Sequence, residues 1–120
     1  MFHCNLYDEN FPEVINSVIN KTNIKNIFFL EVLEHLQNPE KILSNLKKVS
    51  FEKMIITVPN EPLWRFLNCC RLKYLKDLGN TPGHINHFSN RRLNDLLKKF
   101  FTIIKVKLPL PFLMYLIRND

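Results

Sequence analysis

A chain of 120 residues with 46% hydrophobic content and ten Phe has room for one domain with a packed core, which excludes intrinsic disorder. Seventeen Lys and Arg against eleven Asp and Glu give a net charge of +6, but these basic side chains are spread over several segments without a block, which argues against a nucleic-acid-binding module. Three cysteines (Cys4, Cys69 and Cys70) with no C-x-x-C pair exclude a disulfide framework. With no signal peptide and no apolar run near the ~20 residues of a membrane span, the expected setting is cytoplasmic, with no transmembrane segment.

In chain order, residues 2–6 predict a short strand, and Phe11-Pro12-Glu13 opens a helix carrying Val14, Ile15, Val18 and Ile19. Ile27-Phe28-Phe29-Leu30 is a compact run of strand formers, as expected of a central parallel strand buried on both faces. Asn38-Pro39-Glu40 places a cap, a first-turn proline and a favourable N-terminal charge before a helix over residues 39–49, whose Ile42, Leu43, Leu46 and Val49 form one stripe. Residues 54–58 predict a second strand, stopped by Pro59, so strand, helix and strand form a βαβ unit with parallel strands.

Over residues 60–90 the pattern loosens into an insertion with one or two short helices, in which Trp64, Leu67 and Leu72 give an apolar side and residues 79–83 a turn. Ser89 caps a helix over residues 90–100, with Leu93, Leu96, Leu97 and Phe100 as its stripe. Residues 102–108 alternate as a strand, and residues 112–117 supply an antiparallel partner.

Three motifs then stand in a suggestive order: Glu31-Val32-Leu33-Glu34-His35-Leu36 followed by Asn38-Pro39-Glu40, the strand ending Val58-Pro59-Asn60, and Gly83-His84-Ile85-Asn86-His87-Phe88-Ser89 before a helix. Together they resemble the C-terminal half of class I S-adenosylmethionine-dependent methyltransferases, over residues 26–120. The resemblance implies an α/β, truncated Rossmann-like fold: one partial domain over residues 1–120, with a short, mostly parallel sheet, an antiparallel C-terminal strand, flanking helices, and an acceptor-side insertion at 60–90. It also implies S-adenosylmethionine as cofactor. The sequence departs from the family in lacking a Gly-rich turn after a first strand, since Gly79 and Gly83 lie far downstream. Donor binding by this chain alone is therefore expected to be weak.

Ligands of open parallel sheets bind at the carboxyl ends of strands, which puts the residues after Leu30 and Val58 beside the cleft. By resemblance, Glu31 and His35 border the methionine part of the donor, and Asn5 or Asp8 touches adenine if residues 2–6 match the third strand. His35 has an equal alternative role in fixing its loop to the next helix, and the ordinary reading of Glu34 is a solvated carboxylate. His84 and His87 are the candidate catalytic bases for a hydroxyl acceptor, with loop anchoring as the alternative. Their i, i+3 spacing also suits metal ligands, but no third ligand is evident from spacing, so no metal is expected. Trp64, Arg65 and Arg71 are candidates to shape an acceptor pocket, while Cys69 and Cys70 have no activating neighbour.

The expected function is methylation of a small molecule, lipid precursor or sugar, with the isolated chain weak or inactive. The rivals are a non-catalytic remnant or a split-enzyme subunit joined by a complementing chain and, more weakly, a basic nucleic-acid-binding module.

Overall fold

The computed structural model describes residues 4–72 and 75–120. Among these residues α1 (Phe11–Thr22), β1 (Asn26–Leu30), α2 (Pro39–Lys47) and β2 (Lys53–Pro59) alternate, and the helices α3 (Glu61–Cys70) and α4 (Asn90–Lys98) then precede the strands β3 (Thr102–Lys107) and β4 (Phe112–Arg118). The sheet order is β1-β2-β4-β3, with β1 parallel to β2 and the β4 pairings antiparallel.

Local chemistry accounts for the element boundaries. Asn38 accepts from the Lys41 amide and Ser89 from the Arg92 amide, so α2 and α4 each begin on a side-chain cap. Pro59 does not stop β2 early: it pairs with Phe112 as the last strand residue, where a missing N–H is tolerated. Leu72 lies beyond α3, 77% exposed and at positive φ, so it takes no part in that helix's apolar side.

The core lies on one face of the sheet. Met54, Ile56 and Val58 of β2 stand opposite Ile117, Tyr115 and Leu113 of β4, all fully buried. Over them pack Phe11 and Ile19 of α1, Ile42, Leu43 and Leu46 of α2, and Leu93, Leu96 and Leu97 of α4. The amphipathic spacing of each helix thus finds its partner on the sheet.

Several expectations are corrected: the sheet is mixed, with one parallel and two antiparallel pairings, rather than mostly parallel. Residues 4–6 are not a strand: they lead into a turn in which the Asp8 amide donates to the Asn5 carbonyl and the Phe11 amide to Asp8. Residues 1–3 lie outside the described residues. The apolar run of β1 is not a central strand either. Among the described residues it pairs only with β2 and lies at one edge of the sheet, with Phe29 buried but Phe28 69% and Leu30 49% exposed. Continuous hydrophobicity signals that both faces want cover but does not show whether the described residues supply it. On the outward face Phe28, Ile55 and Leu116 align across three strands, a half-open apolar stripe beside the free edge. β3 forms the opposite edge, and a register shift between Ile103 and Lys105 breaks the alternation read from its sequence.

Candidate functional site

The parallel strands β1 and β2 deliver two loops to one end of the sheet. After Leu30 the Glu31 amide still donates to the Thr57 carbonyl, while the Glu31 side chain accepts from the Thr57 hydroxyl at 2.6 Å. Glu31 has φ +53, a left-handed conformation uncommon for a residue of this kind, which turns the chain sharply off the strand. A 3-10 turn, Leu33–His35, follows with Leu33 fully buried as its anchor.

The segment 83–88 wraps around that turn. The Ile85 and Asn86 amides both donate to the Glu34 carbonyl at 2.9 Å, and the Asn86 side chain donates to the carbonyls of Leu33 and Leu36. His35 donates from Nδ1 to the Gly83 carbonyl at 2.7 Å, and its ring meets the His84 ring edge-on, 5.0 Å between centroids. Gly83 sits at φ +88, which explains glycine at this bend. His84 donates from Nδ1 to Glu61 Oε1 at 2.7 Å, and the Glu61 amide donates to the Phe88 carbonyl. The far side is closed by α3, where Trp64 Nε1 reaches the Thr81 hydroxyl at 2.7 Å and the Asn68 amide the Gly79 carbonyl at 2.9 Å.

Glu34 is the group these contacts enclose. It is 1% exposed, and neither carboxylate oxygen has a hydrogen-bond partner among the described residues. Burial pushes its carboxyl up to about 7, with its own backbone amide opposing the shift. His35 Nε2 lies 3.9 Å from Glu34 Oε1, and Glu34, His35 and His84 each offer a ligand atom within 4.8 Å of the others. One carboxylate and two imidazoles suit a divalent transition-metal ion, and an unpartnered buried carboxylate is what such an ion would satisfy.

The candidate residues therefore divide. His35 and His84 come together, with Glu31 one turn of chain away and hydrogen-bonded to β2. His87 stands apart from that cluster: its Nδ1 is 3.4 Å from Glu61 Oε2 without forming a hydrogen bond, and it lines a cleft of ≈ 340 Å³ with Glu61, Pro62, Arg65 and Ser89. Asn5 and Asp8 lie exposed in the turn before α1, outside the cluster, although the neighbouring Tyr7 hydroxyl accepts from the Gln37 amide. The fold groups His84 not with His87 but with Glu34 and His35, which lie 50 and 49 positions earlier in sequence. In sequence Glu34 reads as a solvated carboxylate because nothing there shows that residues 83–88 cover it. Glu61 belongs to none of the three motifs, although it lies two residues past the strand end that borders the cleft.

The fold has clear counterparts among solved structures. It is the C-terminal half of the class I methyltransferase fold. The small RNA methyltransferase HEN1 superposes with a TM-score of 0.60 at 15% identity, covering 79% of this chain and 14% of that one. Magnesium protoporphyrin IX methyltransferase from Synechocystis PCC 6803, with bound SAH, gives 0.53 at 15% identity over 80% of this chain and 45% of that one. A SAM-dependent methyltransferase from Thermotoga maritima, a possible histamine N-methyltransferase, gives 0.54 at 13% identity, covering 80% and 56%. This chain thus spans less than two-thirds of each counterpart. No protein-family model matches the sequence, nor does any curated protein. Among the described residues no helix is long and apolar enough to cross a membrane.

Proposed function

We propose that this chain is the acceptor-side half of an S-adenosylmethionine-dependent O-methyltransferase, in which Glu34, His35 and His84 hold a divalent cation beside the acceptor hydroxyl. The observation that carries the reading is the Glu34 carboxylate, buried with no hydrogen-bond partner among the described residues and clustered within 4.8 Å of two imidazoles. A cation held by Glu34, His35 and His84 would supply Lewis acidity to an acceptor hydroxyl, and S-adenosylmethionine, when bound, would supply the methyl group and leave as S-adenosylhomocysteine, with the hydroxyl proton passing to a base. His87 is the candidate for that proton: it lines a neighbouring cleft and lies 3.4 Å from Glu61, the carboxylate that also holds His84. His84 is not, because its side chain is buried and its Nδ1 is already committed to Glu61. Glu31 and His35 flank the methionine side of the donor, and alignment of the two substrates supplies the rest of the rate.

The acceptor is a small molecule, lipid precursor or sugar carrying a hydroxyl. A ribose hydroxyl of RNA is the second reading, favoured by the match to the small RNA methyltransferase. The donor cradle comes from a complementing segment seated on the free β1 edge and the Phe28, Ile55 and Leu116 stripe. An unpaired parallel edge next to exposed apolar side chains is what such a segment would cover.

Manganese titration of the purified chain, followed by calorimetry and by the electron paramagnetic resonance signal of the free ion, tests the reading. One equivalent is expected to bind in the wild type and none in Glu34→Gln. Wild-type protein that leaves millimolar manganese free would end it. S-adenosylmethionine added to the isolated chain should give little heat; robust binding would remove the need for a complementing segment.

A further inference from the structure

We infer that Glu61 is a positioning residue: its carboxylate holds His84 in the Nδ1–H tautomer and so leaves the Nε2 lone pair for the cluster with Glu34 and His35. The inference rests on the cation reading above.

Glu61 is 2% exposed at the first position of α3, and His84 is nearly as buried. A carboxylate accepts and does not donate, so the 2.7 Å contact between Glu61 Oε1 and His84 Nδ1 requires the proton on Nδ1 and frees Nε2 as the ligand atom. The same logic operates on His35, whose Nδ1 faces the Gly83 carbonyl, another group that can only accept. Two imidazoles are thus set by two acceptors, and both keep Nε2 free of them; that of His35 lies 3.9 Å from Glu34 Oε1, and His84 has a ring nitrogen within the same cluster. Packing alone would not require a buried His84 and an exposed His35 to be polarised the same way. Backbone geometry reinforces the arrangement, since the Glu61 amide donates to the Phe88 carbonyl at 3.1 Å and ties the head of α3 to the segment that carries His84. Carboxylates in this position fix ring orientation and raise ligand basicity.

The test reads the His84 ring directly by nitrogen-15 NMR of the metal-free chain at neutral pH, beside manganese titrations of wild type and Glu61→Gln. The wild type should show a single Nδ1–H tautomer. The amide in Glu61→Gln can either accept from Nδ1 or donate to it, so that variant should show mixed tautomers and bind manganese about 10- to 100-fold more weakly. An Nε2–H tautomer in the wild type overturns the inference without any variant, as does Glu61→Gln that keeps both the single tautomer and the full affinity. Wild type that binds no manganese yet shows the Nδ1–H tautomer would sink the cation reading and leave the orienting role of Glu61 standing.

Discussion

Replacing Glu34 with glutamine should stabilise the protein, and do so increasingly as pH rises. The unfolded chain releases the Glu34 proton near 4.5, whereas the folded chain keeps it to about 7 because burial disfavours the anion. Between those values the unfolded state binds fewer protons, so stability falls as pH rises and levels off above the folded value. At about 1.4 kcal/mol for each pH unit separating the two values, the wild type forgoes roughly 3 kcal/mol by about pH 8. Glu34→Gln keeps the shape, carries no charge at any pH and avoids that loss. Thermal melts followed by circular dichroism should show the two proteins alike near pH 4 and the variant ahead by roughly 10 °C at about pH 8, for a domain of this size. Manganese at a hundredfold excess over its dissociation constant should return about 2.7 kcal/mol to the wild type and nothing to the variant. A difference between the proteins that stays constant from acid to alkaline pH would refute the reasoning, because it would mean that Glu34 is no harder to ionise when folded.

Further outcomes follow from the same geometry. Phe28→Glu, at a position 69% exposed on the edge strand, should leave the unfolding free energy within about ±0.5 kcal/mol of wild type, as is typical of surface changes. Size-exclusion with light scattering should show less self-association than in the wild type. Gly79→Ala would bring a Cβ 2.2 Å from the Arg65 carbonyl oxygen at a φ of +78, and denaturant titration should register a loss of roughly 1–3 kcal/mol. Tyr115→Phe removes a buried hydroxyl that donates to the Asn90 carbonyl at 3.0 Å, with an expected cost of about 1 kcal/mol in the same titration.

Local chemistry made much of the fold legible. Asn38 and Ser89 mark helix starts because their side chains satisfy amides that a helix leaves open, and both caps form as expected. The stripes Ile42, Leu43, Leu46 and Leu93, Leu96, Leu97 repeat at the helical period, and all six are buried. The three methyltransferase-like motifs occupy the first loop, the second strand end and the approach to α4, as the resemblance implied.

What remained hidden depends on non-local contact. Whether Phe28 is covered depends on what lies beside β1, and its own hydrophobicity is the same in either case. Sequence alone determined the elements, their order and the residues able to do chemistry, since capping, periodicity and side-chain type are properties of short stretches. Only the tertiary structure decided that Glu34 is buried, that His84 rather than His87 joins it, and that Glu61 meets the His84 ring, because each depends on segments 83–88 and 61–68 closing over the turn at residues 33–35, far earlier in sequence.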